Sequence, residues 1–136
     1  MKKKSLLFCI LPLAILILEL LPFGAVLQFF NPETGSTLRY TYSYFSLTPY
    51  GYANFGPFLT ALCTVCLLLL SFVGAHRPWR AMWEVLCGVA AVGTVTSLLP
   101  LMLGASYVTP IGVAISVLFV VEFGVLHGFG LLLSRR

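Results

Sequence analysis

Four apolar stretches, at about 6–27, 57–74, 81–103 and 108–133, fill most of a chain of 136 residues. Each approaches the roughly 20 residues that carry a helix across about 30 Å of hydrocarbon. The composition agrees: 60% of residues are hydrophobic and 9% are charged, where soluble domains carry about 25% charged residues. Hydrocarbon supplies no hydrogen bonds to an open backbone, so segments of this kind are expected to be helices. The sequence therefore predicts an all-α integral membrane protein. Its architecture is a four-transmembrane-helix bundle with a long aromatic extracytoplasmic loop between helices 1 and 2, all in one polytopic domain over 1–136.

Basic residues orient the bundle. If the four helices alternate in direction, Lys2, Lys3, Lys4, Arg77, Arg80, Arg135 and Arg136 fall at one membrane face and only Arg39 at the other. The positive-inside rule then places both termini and the 75–80 loop in the cytoplasm of a plasma membrane protein. The formal charge of +4 reflects this topology and is no sign of nucleic-acid binding. The lysines followed by an apolar run also resemble a signal peptide. The run is longer than a signal core, however, and Pro22-Phe23-Gly24-Ala25 is a poor cleavage site, so a retained helix is expected.

Local signals fit the layout. Asn54 or Gly56 before Pro57, and Thr109 before Pro110, set a cap-like residue ahead of a proline whose missing N–H costs nothing in a first helical turn. Trp79 and Trp83 flank the inner loop as interfacial anchors, and Arg80 and Glu84 are spaced for a local ion pair. The outer loop, 28–56, is far longer than packing requires. It holds five of the six tyrosines. Tyr40, Tyr42 and Tyr44 alternate with small polar residues, a period of two that suits a short strand, and 31–35 reads as a turn. These tyrosines are expected either to anchor the loop on the headgroup layer or to form a recognition surface.

Glu19 and Glu122 are the residues hardest to reconcile with hydrocarbon. At about 1.5 Å per residue from the inner boundary, Glu19 lies roughly 22 Å deep, Glu122 and Thr94 roughly 21 Å and Thr64 roughly 18 Å. An acidic residue at that depth costs about 2.5 to 3.5 kcal/mol on insertion scales. No lysine or arginine sits at this level to neutralise it. Both carboxyls are therefore expected to face the bundle interior or a wet cavity, and a close pair would share a proton. Thr94, Thr96 and Ser97 bring hydroxyls that could donate to a carboxylate, and Pro22 is expected to free the Leu18 carbonyl beside Glu19. Gly124 and Gly128 form a small-xxx-small pair, a helix-contact motif. His127 lies about 140° around the helix from Glu122 and does not share its face.

The four cysteines, Cys9, Cys63, Cys66 and Cys87, all fall within spans. Cys63-x-x-Cys66 invites comparison with quinone-linked membrane thiol oxidoreductases, but those need a second cysteine pair in a loop, and this chain has none. The motif also lacks further ligands for zinc. LILELLPFG around Glu19 does not reproduce the helix-one pattern of the small multidrug transporters, which also lack so long an outer loop.

No catalytic residues, metal site or cofactor are therefore expected. Two functional classes remain. One is a structural or accessory membrane protein whose mid-membrane polar layer of Glu19, Glu122, Thr94, Thr64 and Ser97 fixes helix packing. The other is a proton-coupled small-molecule or ion transporter acting through Glu19 and Glu122 as a homodimer. Its partners are the lipid bilayer together with a second copy or another membrane protein.

Overall fold

A computed structural model describes residues 2–76 and 80–134. The chain is mostly helical: α1 (Lys2–Leu20), β1 (Ala25–Asn31), β2 (Ser36–Tyr42), α2 (Leu47–Gly51), α3 (Gly56–His76), α4 (Arg80–Leu103) and α5 (Pro110–Ser134), with a turn of 3-10 helix at Ala105–Tyr107. Three helices, α3, α4 and α5, are long and apolar enough to cross a membrane, as expected of a small multi-pass membrane protein. The apolar part of α1 is shorter, Phe8–Leu20.

The first apolar stretch departs from expectation. The sequence predicts a helix over 6–27, yet α1 stops at Leu20 and Ala25, Val26 and Leu27 belong to a strand. Pro22 explains the stop: it has no N–H to give, and it disfavours helical backbone at Leu21. The Leu21 amide instead closes a tighter turn onto the Leu18 carbonyl (3.2 Å), so the carbonyl expected to stand free beside Glu19 is satisfied.

Past Gly24 the chain forms an antiparallel hairpin in which Ala25 faces Tyr42 and Asn31 faces Ser36. The 31–35 turn is built as the sequence predicts. Asn31 Oδ1 accepts the Glu33 amide (3.0 Å), and Gly35 takes the left-handed backbone (φ 64°) that closes the turn. Strand β1 has Ala25, Val26 and Leu27 all buried, without alternation, while β2 is exposed along most of its length. The base of β1 is buried on both faces because it lies over the ends of the helices.

Helix α1 packs against α3 and α5, and α4 packs against the same two. Ile15, Ala61, Leu67, Leu86, Ala90, Ile115, Phe119 and Leu126 form the core between them. Two glycines set the closest approaches. A Cβ on Gly93 would run into the Phe119 ring, and one on Gly56 would lie 2.7 Å from the Thr96 carbonyl oxygen. Gly93 belongs to the small-residue run of α4, and small residues let backbones approach where lipid supplies no hydrophobic drive. Gly124 and Gly128, the expected contact motif, are exposed, and a Cβ on either would meet nothing within 4 Å. Within this chain they join no helices.

At the end away from the hairpin, Phe8, Trp83 and Phe129 form a cluster, with ring centroids 4.8 to 4.9 Å apart. Trp83 is thus half-buried between helices, its ring packed on those of Phe8 and Phe129. Trp79 and the side chain of Arg80, and with it the expected pair with Glu84, lie outside the described residues.

Candidate functional site

Glu19 sits at the last turn of α1, fully buried, and its Oε1 accepts a hydrogen bond from Thr64 Oγ1 (2.8 Å). Thr64 lies about 12 Å along α3 from Gly56, so α1 ends well below the hairpin-side end of its neighbour. The interrupted backbone beyond it needs partners, because an unsatisfied N–H or C=O away from water costs several kcal/mol.

Every link is supplied by a different element. The Tyr44 amide donates to the Glu19 carbonyl (3.0 Å) and the Gly24 amide to the Tyr42 carbonyl (3.1 Å). Thr109 Oγ1 donates to the Gly24 carbonyl (3.0 Å). Asn54 Nδ2 donates to the Val26 carbonyl (3.0 Å).

Thr109 has a second role. Its Oγ1 accepts the Gly112 amide (2.9 Å), which is the N-cap expected before Pro110. Asn54 does not cap α3 with its side chain, because that side chain reaches the hairpin instead.

The remaining hydroxyls turn to their own helices. Thr94 Oγ1 donates to the Ala90 carbonyl (2.8 Å) and Ser97 Oγ to the Thr94 carbonyl (2.7 Å). Neither reaches a carboxyl. Besides Thr64 to Glu19, the contacts that cross between described helices include Thr60 Oγ1 to Thr96 Oγ1 (2.9 Å) and Ser116 Oγ to the Ser97 carbonyl (3.2 Å). Of the expected polar layer, Glu19 and Thr64 are brought together.

Glu122 is buried on α5, about 18 Å along the helix from Pro110. Among the described residues no hydrogen bond joins Glu122 to Glu19. One oxygen of each, Glu19 Oε2 and Glu122 Oε1, is buried without a hydrogen-bond partner. His127 is exposed and stacks on Phe123. The cysteines are all free thiols.

The three tyrosines divide. Tyr40 is exposed beside Phe29, and Tyr42 is half-buried. Tyr44 is 1% exposed and belongs to the core. Its ring lies against Gly24, where a Cβ would stand 2.7 Å from two ring carbons. The period of two links all three in sequence, but β2 ends at Tyr42, and the chain then turns inward. The roles of Asn54, Thr60 and Tyr44, and the bond from Thr109 to Gly24, are what the sequence does not show, because each joins or packs on a group far along the chain. Comparison with protein-family models, with curated proteins and with solved structures finds no match in any of the three.

Proposed function

We propose that this chain is a structural or accessory protein of the plasma membrane that crosses the bilayer four times, with both termini cytoplasmic and the hairpin outside. In this reading the first crossing is a composite. The apolar part of α1 covers about 20 Å, and the extended residues from Gly24 onward continue it at about 3.3 Å each. Non-helical backbone is tolerated at membrane depth where protein surrounds it, and Thr109, Asn54 and Tyr44 surround it here.

The observation that carries the reading is the fully buried Glu19 carboxyl bonded to Thr64. Thr64 Oγ1 also lies 3.2 Å from the Thr60 carbonyl, and its single hydrogen cannot serve both acceptors. The shorter contact takes it: Thr64 donates to Glu19 Oε1 across the two helices at 2.8 Å. Such a carboxyl is a hydrogen-bonded pin between α1 and α3.

The second reading, a proton-coupled transporter acting as a homodimer, is favoured by the two unpartnered buried oxygens of Glu19 and Glu122. Proteoliposomes loaded with a pH-sensitive dye separate the two. The pin predicts that the native chain, Glu19→Gln and Glu122→Gln all hold an imposed pH gradient equally. It further predicts that the unfolding free energy of Glu19→Gln stays within about 1 kcal/mol of native, since intramembrane side-chain hydrogen bonds average about 0.6 kcal/mol. A native chain that dissipates the gradient, with loss of that flux in either Gln variant, would establish the transporter instead.

A further inference from the structure

A cavity of about 350 Å³ opens between α4 and α5 in their hairpin-side half. Its size lies within the roughly 300 to 1,000 Å³ of small-molecule sites. Its mouth is hydrocarbon: Leu98 and Leu101 on α4 and Val113, Val117 and Val120 on α5 are all exposed. Its floor is polar. Tyr44 lines the cavity while being 1% exposed, and its Oη lies beside Gly112, 3.2 Å from where a Cβ would stand.

Of the other hydroxyls there, those of Thr109, Ser116 and Ser97 are engaged, and that of Tyr107 belongs to a half-buried side chain. Thr109 donates to Gly24, Ser116 to backbone carbonyls and Ser97 to Thr94. The Tyr44 hydroxyl makes no hydrogen bond among the described residues. Burial first, and the Glu19 carboxyl second, push the Tyr44 phenol well above its ordinary range, so it stays an O–H donor. An unpartnered donor at the end of a side chain only 1% exposed, open only to a cavity it lines, is uncommon, because polar groups inside a fold are nearly always bonded.

We propose that this cavity holds one acyl chain of an ester-linked membrane glycerolipid, with the ester carbonyl accepting the Tyr44 hydroxyl. The position suits that chemistry. Gly112 lies two residues inside the start of α5, at the boundary where a lipid's chains meet its glycerol. From Gly112 to Val121 the groove runs about 14 Å down the helix, a path for the chain among aliphatic side chains. The inference goes beyond the packing role of Glu19 and needs only that α4 and α5 lie in lipid.

Native mass spectrometry of the full chain tests it, with added diacyl phosphatidylglycerol compared with the dialkyl ether analogue of equal chain length. One diacyl lipid per chain is expected to be retained, with the ether lipid, which lacks the carbonyl, held about three- to tenfold less well, as one net hydrogen bond implies. Tyr44→Phe should hold the two lipids equally, and Val117→Trp, which fills the mouth from an exposed position, should lose both. Leu101→Trp repeats the filling from the opposite wall, and a thermal scan of each variant checks folding. Equal retention of ester and ether lipids by the native chain would overturn the proposal, as would retention that ignores both tryptophans. A dimer that forms in the absence of lipid and is broken by Val117→Trp would overturn it too, by assigning the groove to a second copy.

Discussion

The two halves of this molecule are held together by different means. In the hairpin half, side chains cross from one element to another to reach their partners: Thr109 to Gly24, Asn54 to Val26, Thr64 to the Glu19 carboxyl. In the other half, the contact between α1, α4 and α5 is the Phe8, Trp83 and Phe129 cluster. The difference originates in α1. Unbroken helices satisfy their own backbone and need only shape to pack. Where Pro22 ends α1 inside the fold, every freed amide and carbonyl must find a partner, and polar residues gather there for that reason.

Glycine substitutions should divide the halves most sharply. Gly56→Ala drives a Cβ to 2.7 Å from the Thr96 carbonyl oxygen, a backbone atom with little room to yield, and should cost about 3 kcal/mol, at the upper end of ordinary overpacking. Gly124→Ala in the other half meets nothing and should be neutral or stabilise by up to about 1 kcal/mol through helix propensity. Unfolding of both variants in mixed micelles checks the pair, and equal losses would erase the contrast.

Thr109→Val comes next. It removes the donor to Gly24 and the cap on Gly112 together, so a loss of about 2 kcal/mol is expected, as for a buried acceptor left unmade. Hydrogen exchange should report faster opening at Gly112. If the loss stays near zero, side-chain stitching of the interrupted backbone after α1 is not what holds it.

Phe129→Leu should have the smallest destabilising effect, about 1 kcal/mol, because it keeps apolar volume and removes only the aromatic geometry. Its signature is a shift in Trp83 fluorescence with exchange at the hairpin unchanged. A change that reaches the hairpin would mean that the halves unfold as one unit.

Much of this protein is legible along the chain. The long apolar helices, Pro110 behind its Thr109 cap, the turn at 31–35 and the burial of Glu19 and Glu122 all come from local pattern and from the cost of charge in hydrocarbon. The boundary of the first helix is harder to read. A run such as Gly24 to Leu27 is apolar whether it forms a helix or a strand buried on both faces, and periodicity does not separate the two. Pro22 and Gly24 carry the signal for a stop, but only burial of the strand beyond them makes that stop tolerable.

Which small residues matter is beyond the sequence as well. Gly93 and Gly124 look alike in a helix, and only the position of Phe119 distinguishes them. The same holds for Thr64 and Thr94, both hydroxyls at similar depth, of which one reaches Glu19 and the other its own backbone. The sequence by itself determined that the chain belongs in a bilayer, that the segments of α3, α4 and α5 are long enough to cross it and where charge would be costly. The tertiary structure decided which groups meet, because each pairing here joins residues tens of positions apart, and the geometry that selects one partner over its equivalent exists only once the helices are packed.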